Sequence, residues 1–182
     1  MTLFAGSCQR ENLEPVVDGG VTYTITLDDG VQTKGSNGYA EYDLYYQVFK
    51  TVDPTELETA LILTENHVEM SGNTTNISLE LLNDQDYTIL FWANKKGENY
   101  YDVTDLRNVQ VKESLSNNDS RDAFCAKDEL INFDANLSKE VKLKRPFAQI
   151  NIATLIPAVD YDVTPLSSMV RVSNVPLAYN VA

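Results

Sequence analysis

The chain has 182 residues, 43% of them hydrophobic, and its 14 Lys and Arg against 27 Asp and Glu give a formal net charge of −13. This apolar content is sufficient for a folded core and argues against a disordered tail. The negative charge repels phosphate backbones, so we expect no nucleic-acid partner. No apolar run approaches the roughly 18 residues that a membrane-spanning helix needs, so any membrane attachment would have to come from a lipid.

Residues 1–8 have the pattern that ends a bacterial lipoprotein signal peptide. Leu3 and Phe4 precede three small residues and then Cys8, and signal cleavage requires small side chains just before the cut. We therefore expect a lipid on Cys8, which would hold the protein on a membrane with about 0.8 kcal/mol per buried methylene. The alternative is an ordinary free cysteine near the start of the chain. Residues 9–20 are acidic, with Pro and Gly, and are expected to form a flexible tether.

The body of the chain, residues 21–182, contains many short segments with the alternation of a β-strand. Val21, Tyr23, Ile25 and Leu27 alternate with threonines, which is the period-two pattern of a strand. Further predicted strands are 44–49, 57–63, 77–81, 87–93, 109–111, 141–143, 148–152 and 169–175. Short strands separated by Gly, Asn and Asp turns favour antiparallel sheets packed as a sandwich.

Two of these predictions concern single segments. In the strand at 87–93, both the odd and the even positions are apolar, so we expect a central strand that is buried on both faces. Residues 118–127 are the one place where a short helical turn is predicted, with Asn118 or Asp119 as its cap.

The final segment, 168–182, begins as a strand and reaches Ala182 without a closing turn or a polar tail. We therefore expect the sandwich to continue beyond Ala182, and a sandwich that lacks a strand leaves an unpaired sheet edge and exposed apolar surface.

No group of residues in the sequence has the spacing of a catalytic or metal site. His67 is the single histidine, which leaves no zinc set and no Ser-His-Asp arrangement to argue from spacing, and we expect it on a solvent-facing loop. Cys125 lies between Phe124 and Ala126, which favours a small buried hydrophobe over a reactive thiol. We predict no enzymatic activity, no cofactor and no metal site, although calcium in an Asp- and Asn-rich loop stays open.

Tyrosines offer the best candidates for ligand contact, because aromatic faces stack on sugar rings. Tyr100 and Tyr101 follow a turn at Lys95, Lys96 and Gly97, and we treat them as candidate ligand-binding residues. Trp92, in the most apolar strand, is expected in the core.

Four stretches together resemble a known family: DYTILFWA at 86–93, YDVTDLRNV at 101–109, NDSRDAF at 118–124 and LKRPFAQIN at 143–151. Their order and spacing resemble the N-terminal domain of fimbrillin-like lipoproteins of Bacteroides-type bacteria, over residues 15–181. The resemblance implies a transthyretin-like β-sandwich with a lipidated cysteine, displayed at the outer membrane. Combined with the strand pattern, it predicts an all-β, antiparallel Greek-key sandwich with one short helical turn near 118–127.

The resemblance also implies a function based on contact. Fimbrial relatives polymerise when a strand of one subunit adds to an open sheet edge of the next. In those relatives, cleavage after an arginine exposes the groove that receives the strand. We do not assign this role to Arg10, because it lies only two residues from Cys8. We expect a non-enzymatic lipoprotein of the outer-membrane surface that acts as a structural or adhesive module, as a fimbrial subunit or its anchor. The alternative is a glycan-binding surface lipoprotein of a nutrient-uptake system.

Overall fold

The structure is a computed structural model that describes residues 19–28, 41–112, 121–134, 136–146 and 178–182. Cys8, the first part of the predicted tether, and the predicted strands at 148–152 and 169–175 lie outside the described residues. Gly19 and Gly20, which were assigned to the tether, already belong to the first strand.

Strands make up most of the described secondary structure, which confirms the predicted all-β class. The strands are β1 (Gly19–Leu27), β2 (Glu41–Phe49), β3 (Ile62–Ser71), β4 (Thr74–Leu81), β5 (Gln85–Lys95), β6 (Tyr101–Asp102), β7 (Val109–Val111), β8 (Ala123–Phe133), β9 (Leu137–Leu143) and β10 (Ala178–Tyr179). A one-turn helix, α1 (Pro54–Leu57), and a 3-10 turn (Leu106–Asn108) complete the described elements. Neither helical element in the described ranges is long enough to cross a bilayer.

The strands form two packed sheets and a small third one. Sheet 1 has the order β4-β1-β9, sheet 2 has the order β3-β2-β5-β8, and the small sheet has the order β10-β7-β6. Neighbouring strands are antiparallel except β1 and β9, which run parallel. The predicted sandwich is thus confirmed, with one parallel pair that the sequence pattern did not reveal.

Strand β5 lies in the middle of sheet 2 and is buried on both faces, as predicted. Its odd positions, among them Phe91, face the main core between the two sheets, where the Tyr23 ring meets Phe91 at 5.4 Å between centroids. Its even positions, Leu90 and Trp92, face a second core. That second core is covered by α1, the 3-10 turn and the small sheet, so the fold has three layers.

The chain crosses from sheet 1 to sheet 2 directly after β9. Lys144 forms a backbone bridge with Cys125 of β8, and the Arg145 guanidinium then binds Asp122 with N–O distances of 2.7 and 2.9 Å. Pro146 follows and has no N–H to donate to a ladder. A proline at a strand end predicts either a bulge or a crossing between sheets. Arg145-Pro146 lies at a crossing.

Two local predictions were wrong and a third was right only in part. Of the helical turn predicted over 118–127, Arg121 has 3-10 conformation and residues 123–127 belong to β8, while 118–120 lie outside the described residues. The predicted strand at 57–63 is instead the end of α1 followed by the start of β3, because Asp53 caps the helix by accepting from Thr55 N at 2.8 Å and Pro54 favours a first helical position. His67 lies in β3 and not on a loop.

Candidate functional site

The two tyrosines predicted to contact ligands lie together beside Arg121. Tyr101 is only 8% exposed, donates its hydroxyl to the Arg121 carbonyl oxygen, and packs edge-on against Trp92 at 5.1 Å. Burial raises the pKa of Tyr101 to about 12. Tyr100 is half-buried, and the Arg121 guanidinium carbon lies 5.6 Å from its ring centroid. The geometry of Tyr101 is that of a packing residue, and Tyr100 contributes its ring to a cation–π contact.

His67 belongs to a polar cluster on the outer face of sheet 2. Its side chain is 44% exposed and its Nε2 lies 3.0 Å from Asp43 Oδ1, while its ring stacks on Tyr45 at 4.9 Å. The Gly97 N–H donates to the other Asp43 oxygen at 3.3 Å. Burial, with the Asp43 charge, raises the pKa of Tyr45. The described residues contain no group of three or more His, Cys, Asp or Glu side chains placed to hold a metal ion.

The feature that the sequence did not single out is an open side of the sandwich. In the described ranges, β3 pairs only with β2, and β4 pairs only with β1, so each sheet has an unpaired edge on this side. The two strands are joined by a tight turn at Gly72 and Asn73, where Gly72 has φ +89°. An unpaired strand exposes a row of N–H and C=O groups that can pair with a further strand.

A cleft of about 360 Å³ lies between these two edges, and we call it the β3–β4 cleft. Its floor is apolar and consists of Tyr46, Leu79 and Leu81, which are all buried. Its two lips are polar and consist of Thr64, Glu65 and Asn66 from β3 and Ser78 and Glu80 from β4. The cleft thus combines a buried apolar floor with polar side chains along both strands.

The backbone of β4 presents hydrogen-bonding groups to this open side. The Leu27 N–H donates to Asn73 O at 2.9 Å, so residues 27 and 73 are hydrogen-bonded partners. Along an antiparallel ladder, hydrogen-bonded pairs alternate with pairs that are not hydrogen-bonded. Given the register Thr24 with Asn76 and Thr22 with Ser78, the N–H and C=O groups of residues 74, 76, 78 and 80 point away from β1. Four of the eight residues of β4 thus direct their main-chain groups to a side where no other described strand pairs with β4.

Exposed leucines flank the start of β3. Leu61 is 84% exposed and Leu63 is 52% exposed, although large apolar side chains more often lie inside a fold. The sequence carried a signal for this edge, because six of the ten residues in ILTENHVEMS are polar or charged, which is typical of an edge strand. The signal was missed because the residues from Thr64 onward lack a clear apolar alternation.

Comparison with known protein families gives one match that covers most of the chain. Residues 14–181 match DUF6562, a family of unknown function. None of the curated proteins is significantly similar to the chain.

Solved structures with a similar fold are distant. A Bacteroides thetaiotaomicron protein of the DUF1812 family, described as a candidate polysaccharide-binding protein, is 16% identical with a TM-score of 0.43, and the match covers 70% of this chain and 48% of that one. Two structures of the pilus-presented adhesin Spy0125 are each 10% identical, with TM-scores of 0.29 and 0.30, over 71% of this chain and 27% of each adhesin chain. The chain thus spans about half of the DUF1812 protein and about a quarter of the adhesin. Similarities at this level support no functional conclusion.

Proposed function

The chain belongs to the DUF6562 family, and we propose that it is a non-enzymatic surface lipoprotein of fimbrillin type that works as a structural or adhesive module. In this proposal, a lipid on Cys8 holds the domain at the outer membrane, and the open side of the sandwich makes the contact with a partner. Fimbrial assembly, as a subunit or as an anchor, is the specific form that the resemblance to fimbrillin-like lipoproteins suggests.

One observation supports this function more than any other, namely the two sheet edges at the β3–β4 cleft, which pair with no further strand in the described part of the chain. Addition of a strand to a sheet edge gains main-chain hydrogen bonds, and a groove beside the edge gives specificity for side chains. β4 carries a single charged residue, Glu80, whereas natural edge strands are usually protected by several charges, by proline or by a bulge. An edge with so little protection is expected where pairing with a partner is part of the function.

Glycan binding through Tyr100 and Tyr101 receives less support from the geometry. The ring of Tyr101 is buried against Trp92, and the Arg121 guanidinium already lies over Tyr100. A sugar would therefore have to displace existing contacts before it could stack on either ring.

Two measurements on cells that produce the full-length protein test the proposal. The first follows incorporation of an alkyne-labelled palmitate, with Cys8→Ser as the comparison; we expect label and membrane association in the parent and neither in the variant. The second places a photo-crosslinking amino acid at position 76 on the open side, and at position 138 on β9 at the opposite edge as a matched control. We expect crosslinked adducts at position 76 only.

The outcomes separate the two parts of the proposal. Equal membrane association of Cys8→Ser and parent would refute the lipid anchor. Adducts at neither position, or equal adducts at both, would refute the open side as the contact surface.

A further inference from the structure

We infer that the end of the sandwich at which β1 begins lies against the lipid surface, and that exposed leucine and isoleucine side chains at this end contact the membrane. We call it the entry end, because the chain enters β1 there at Gly19. The inference rests on the proposed lipid on Cys8, and it adds an orientation of the domain and a second membrane contact. Two observations carry it: the positions of the exposed aliphatic side chains, and the point from which the chain leads back to Cys8.

Strands of both sheets begin or end at the entry end. Gly19 pairs with Leu81, the last residue of β4, and the Gly19 N–H donates to Asn83 Oδ1 at 3.1 Å. β4 passes into β5, and β8 passes into β9, through connections of three residues each. The Gly20 N–H donates to Asn136 Oδ1 in the second of these connections at 2.7 Å. The end of β4, the start of β5, the end of β8 and the start of β9 therefore all lie beside the start of β1.

β3 also begins at the entry end. Ile62, its first residue, pairs with Phe49, and Phe49 pairs with Thr88 near the start of β5. The turns at Gly72 and Gly97 follow the other ends of β3 and β5. These two turns therefore mark the far end of the sandwich.

The exposed large apolar side chains of the described ranges are all at the entry end. They are between 39% and 84% exposed and comprise Leu61, Leu63, Leu82, Ile131 and Leu137. Each lies within two residues of the end of β3, β4, β8 or β9 that is found there. Exposed apolar side chains scattered singly need no explanation, whereas a group confined to one end of a domain indicates a contact surface.

The chain leads from this same end to the proposed lipid. Residues 9–18 separate Cys8 from Gly19, and ten residues span at most about 35 Å even when fully extended. A lipid on Cys8 therefore keeps the entry end within about 35 Å of the bilayer. The far end is about 35 Å further away, since β5 has 11 residues. Linkage of this kind raises the effective concentration of the entry end at the membrane, so that weak contacts are populated.

The spread of the side chains favours a lipid surface over a protein partner. They lie in or beside β3, β4, β8 and β9, so they come from both sheets, and none of them lines the β3–β4 cleft. A protein interface has a compact, buried apolar centre. A fluid bilayer, in contrast, can take up separate side chains around the end of a domain, and the strength of such binding scales with the apolar area that enters it.

Charge determines which lipids suit this contact. Asp84, Asp86 and Asp134 lie in or beside the two connections at the entry end, and the whole chain carries a net charge of −13. Anionic headgroups would repel these carboxylates. The contact therefore suits headgroups without net charge, such as phosphatidylcholine and phosphatidylethanolamine.

The test couples the full chain through Cys8 to a maleimide-bearing lipid in phosphatidylcholine vesicles. A Cys125→Ala background leaves Cys8 as the single thiol, because the chain has two cysteines. A photo-crosslinking amino acid replaces Leu82 at the entry end or Thr74 at the far end, which are both exposed and mark the two ends of β4. We expect at least about tenfold more lipid adduct at position 82 than at position 74.

Variants separate contact from proximity, since the coupling alone also brings position 82 near the lipid. Leu61→Asn with Ile131→Asn should lower the lipid adduct at position 82 about fivefold, because two apolar contacts are lost. Thr22→Asn with Ser78→Asn, on the exposed face of sheet 1, is the matched control and should leave the adduct unchanged within about twofold. Circular dichroism and thermal unfolding confirm that both variants are folded.

Lipid composition tests the role of charge. When phosphatidylglycerol replaces one third of the phosphatidylcholine, the adduct at position 82 should fall about threefold. A larger adduct on these anionic vesicles would overturn the inference, because it would indicate attraction by charge.

Three other results would also overturn it. The first is equal lipid adducts at positions 82 and 74, and the second is an adduct at position 82 that the Leu61 and Ile131 variant does not change. The third is a crosslink from position 82 to a second copy or to another part of the same chain, which would show that protein covers the entry end. Because the coupling supplies the lipid chemically, these results do not depend on acylation in cells, which the palmitate label reports separately.

Discussion

Replacing Arg107 with alanine should lower the free energy of unfolding by about 3 kcal/mol, because this guanidinium joins α1 to the 3-10 turn. Its Nη1 donates to the carbonyl oxygens of Leu57, Glu58 and Ala60 at 2.8, 3.2 and 2.8 Å. Its Nε and Nη2 donate to the two oxygens of Asp105 at 2.9 and 2.7 Å. A single side chain thus binds three carbonyls at and just beyond the end of a helix, where carbonyls lack helical partners; of these, Leu57 O also accepts from Ala60 N at 3.3 Å.

The magnitude follows from these contacts. The two short bonds from Nη1 contribute about 1 to 1.5 kcal/mol each, since the donor is charged and the Arg107 side chain is only 18% exposed. The pair with Asp105 is discounted to about 0.5 kcal/mol, since that side chain is 40% exposed. The guanidinium also lies 4.9 Å from the ring centroid of Phe49, which adds a few tenths more.

Urea and thermal unfolding measure the effect. Arg107→Ala should lower the melting temperature by roughly 6 to 12 °C, at about 2 to 4 °C per kcal/mol for a chain of this size. Arg107→Lys should recover part of the loss, because it keeps the charge but not the planar fork. Lys142→Ala, on an exposed position of β9, is the control and should change stability by less than about 0.5 kcal/mol.

The same pair gives a pH dependence. Hydrogen bonds from Arg107 hold the pKa of Asp105 below its usual range, so their stabilisation is complete above the ordinary aspartate pKa of about 4 and is lost as the pH falls through the lower, folded value. The difference in free energy of unfolding between the parent protein and Arg107→Ala should therefore become smaller below about pH 4. An Arg107→Ala protein as stable as Lys142→Ala at neutral pH would refute the reasoning.

Three further predictions concern the second core and the crossing between sheets. Trp92→Ala should cost about 3 to 5 kcal/mol in urea unfolding, because the side chain is fully buried; a loss below about 1 kcal/mol would contradict its place in the core. In a Cys8→Ser background, Cys125 should react with a thiol reagent about tenfold more slowly in the native protein than in denaturant, since burial raises its pKa; equal rates would contradict this. A double-mutant cycle of Asp122→Ala and Arg145→Ala should give a coupling energy of about 1 to 2 kcal/mol for their bidentate pair, and additive losses would show that the pair is not coupled.

Strand prediction from the sequence worked where side-chain burial alone selects the conformation. In β1 the alternation of Tyr23 and Ile25 with threonines placed the strand. In β5 the apolar residues on both faces, such as Ile89 and Leu90, placed it at the centre of a sheet. It failed where backbone capping competes with the apolar pattern, as at Asp53, whose side chain starts a helix in place of a strand. It also failed in β3, whose exposed residues carry little apolar periodicity.

The candidate site was less accessible to sequence reasoning than the fold. Tyr100 and Tyr101 look alike in the sequence, yet Tyr101 is buried in the second core while Tyr100 is only partly buried against it. The β3–β4 cleft is formed by residues from β2, β3 and β4. No local pattern predicts that two strands of different sheets will both lie at an edge among the described strands.

By itself, the sequence indicated a sandwich of short strands, because apolar side chains recur with period two between turn residues. It also indicated a doubly buried central strand at 87–93, because apolar residues occupy both of its faces. It also predicted either a bulge or a crossing between sheets at Arg145 and Pro146, since proline cannot donate to a ladder, and the structure shows the crossing. Only the tertiary structure decided that β1 and β9 run parallel, that a third layer covers Trp92, and that β3 and β4, which are edge strands among the described residues, line one cleft. Those features depend on which distant segments become neighbours, and that choice is made by the packing of the whole core.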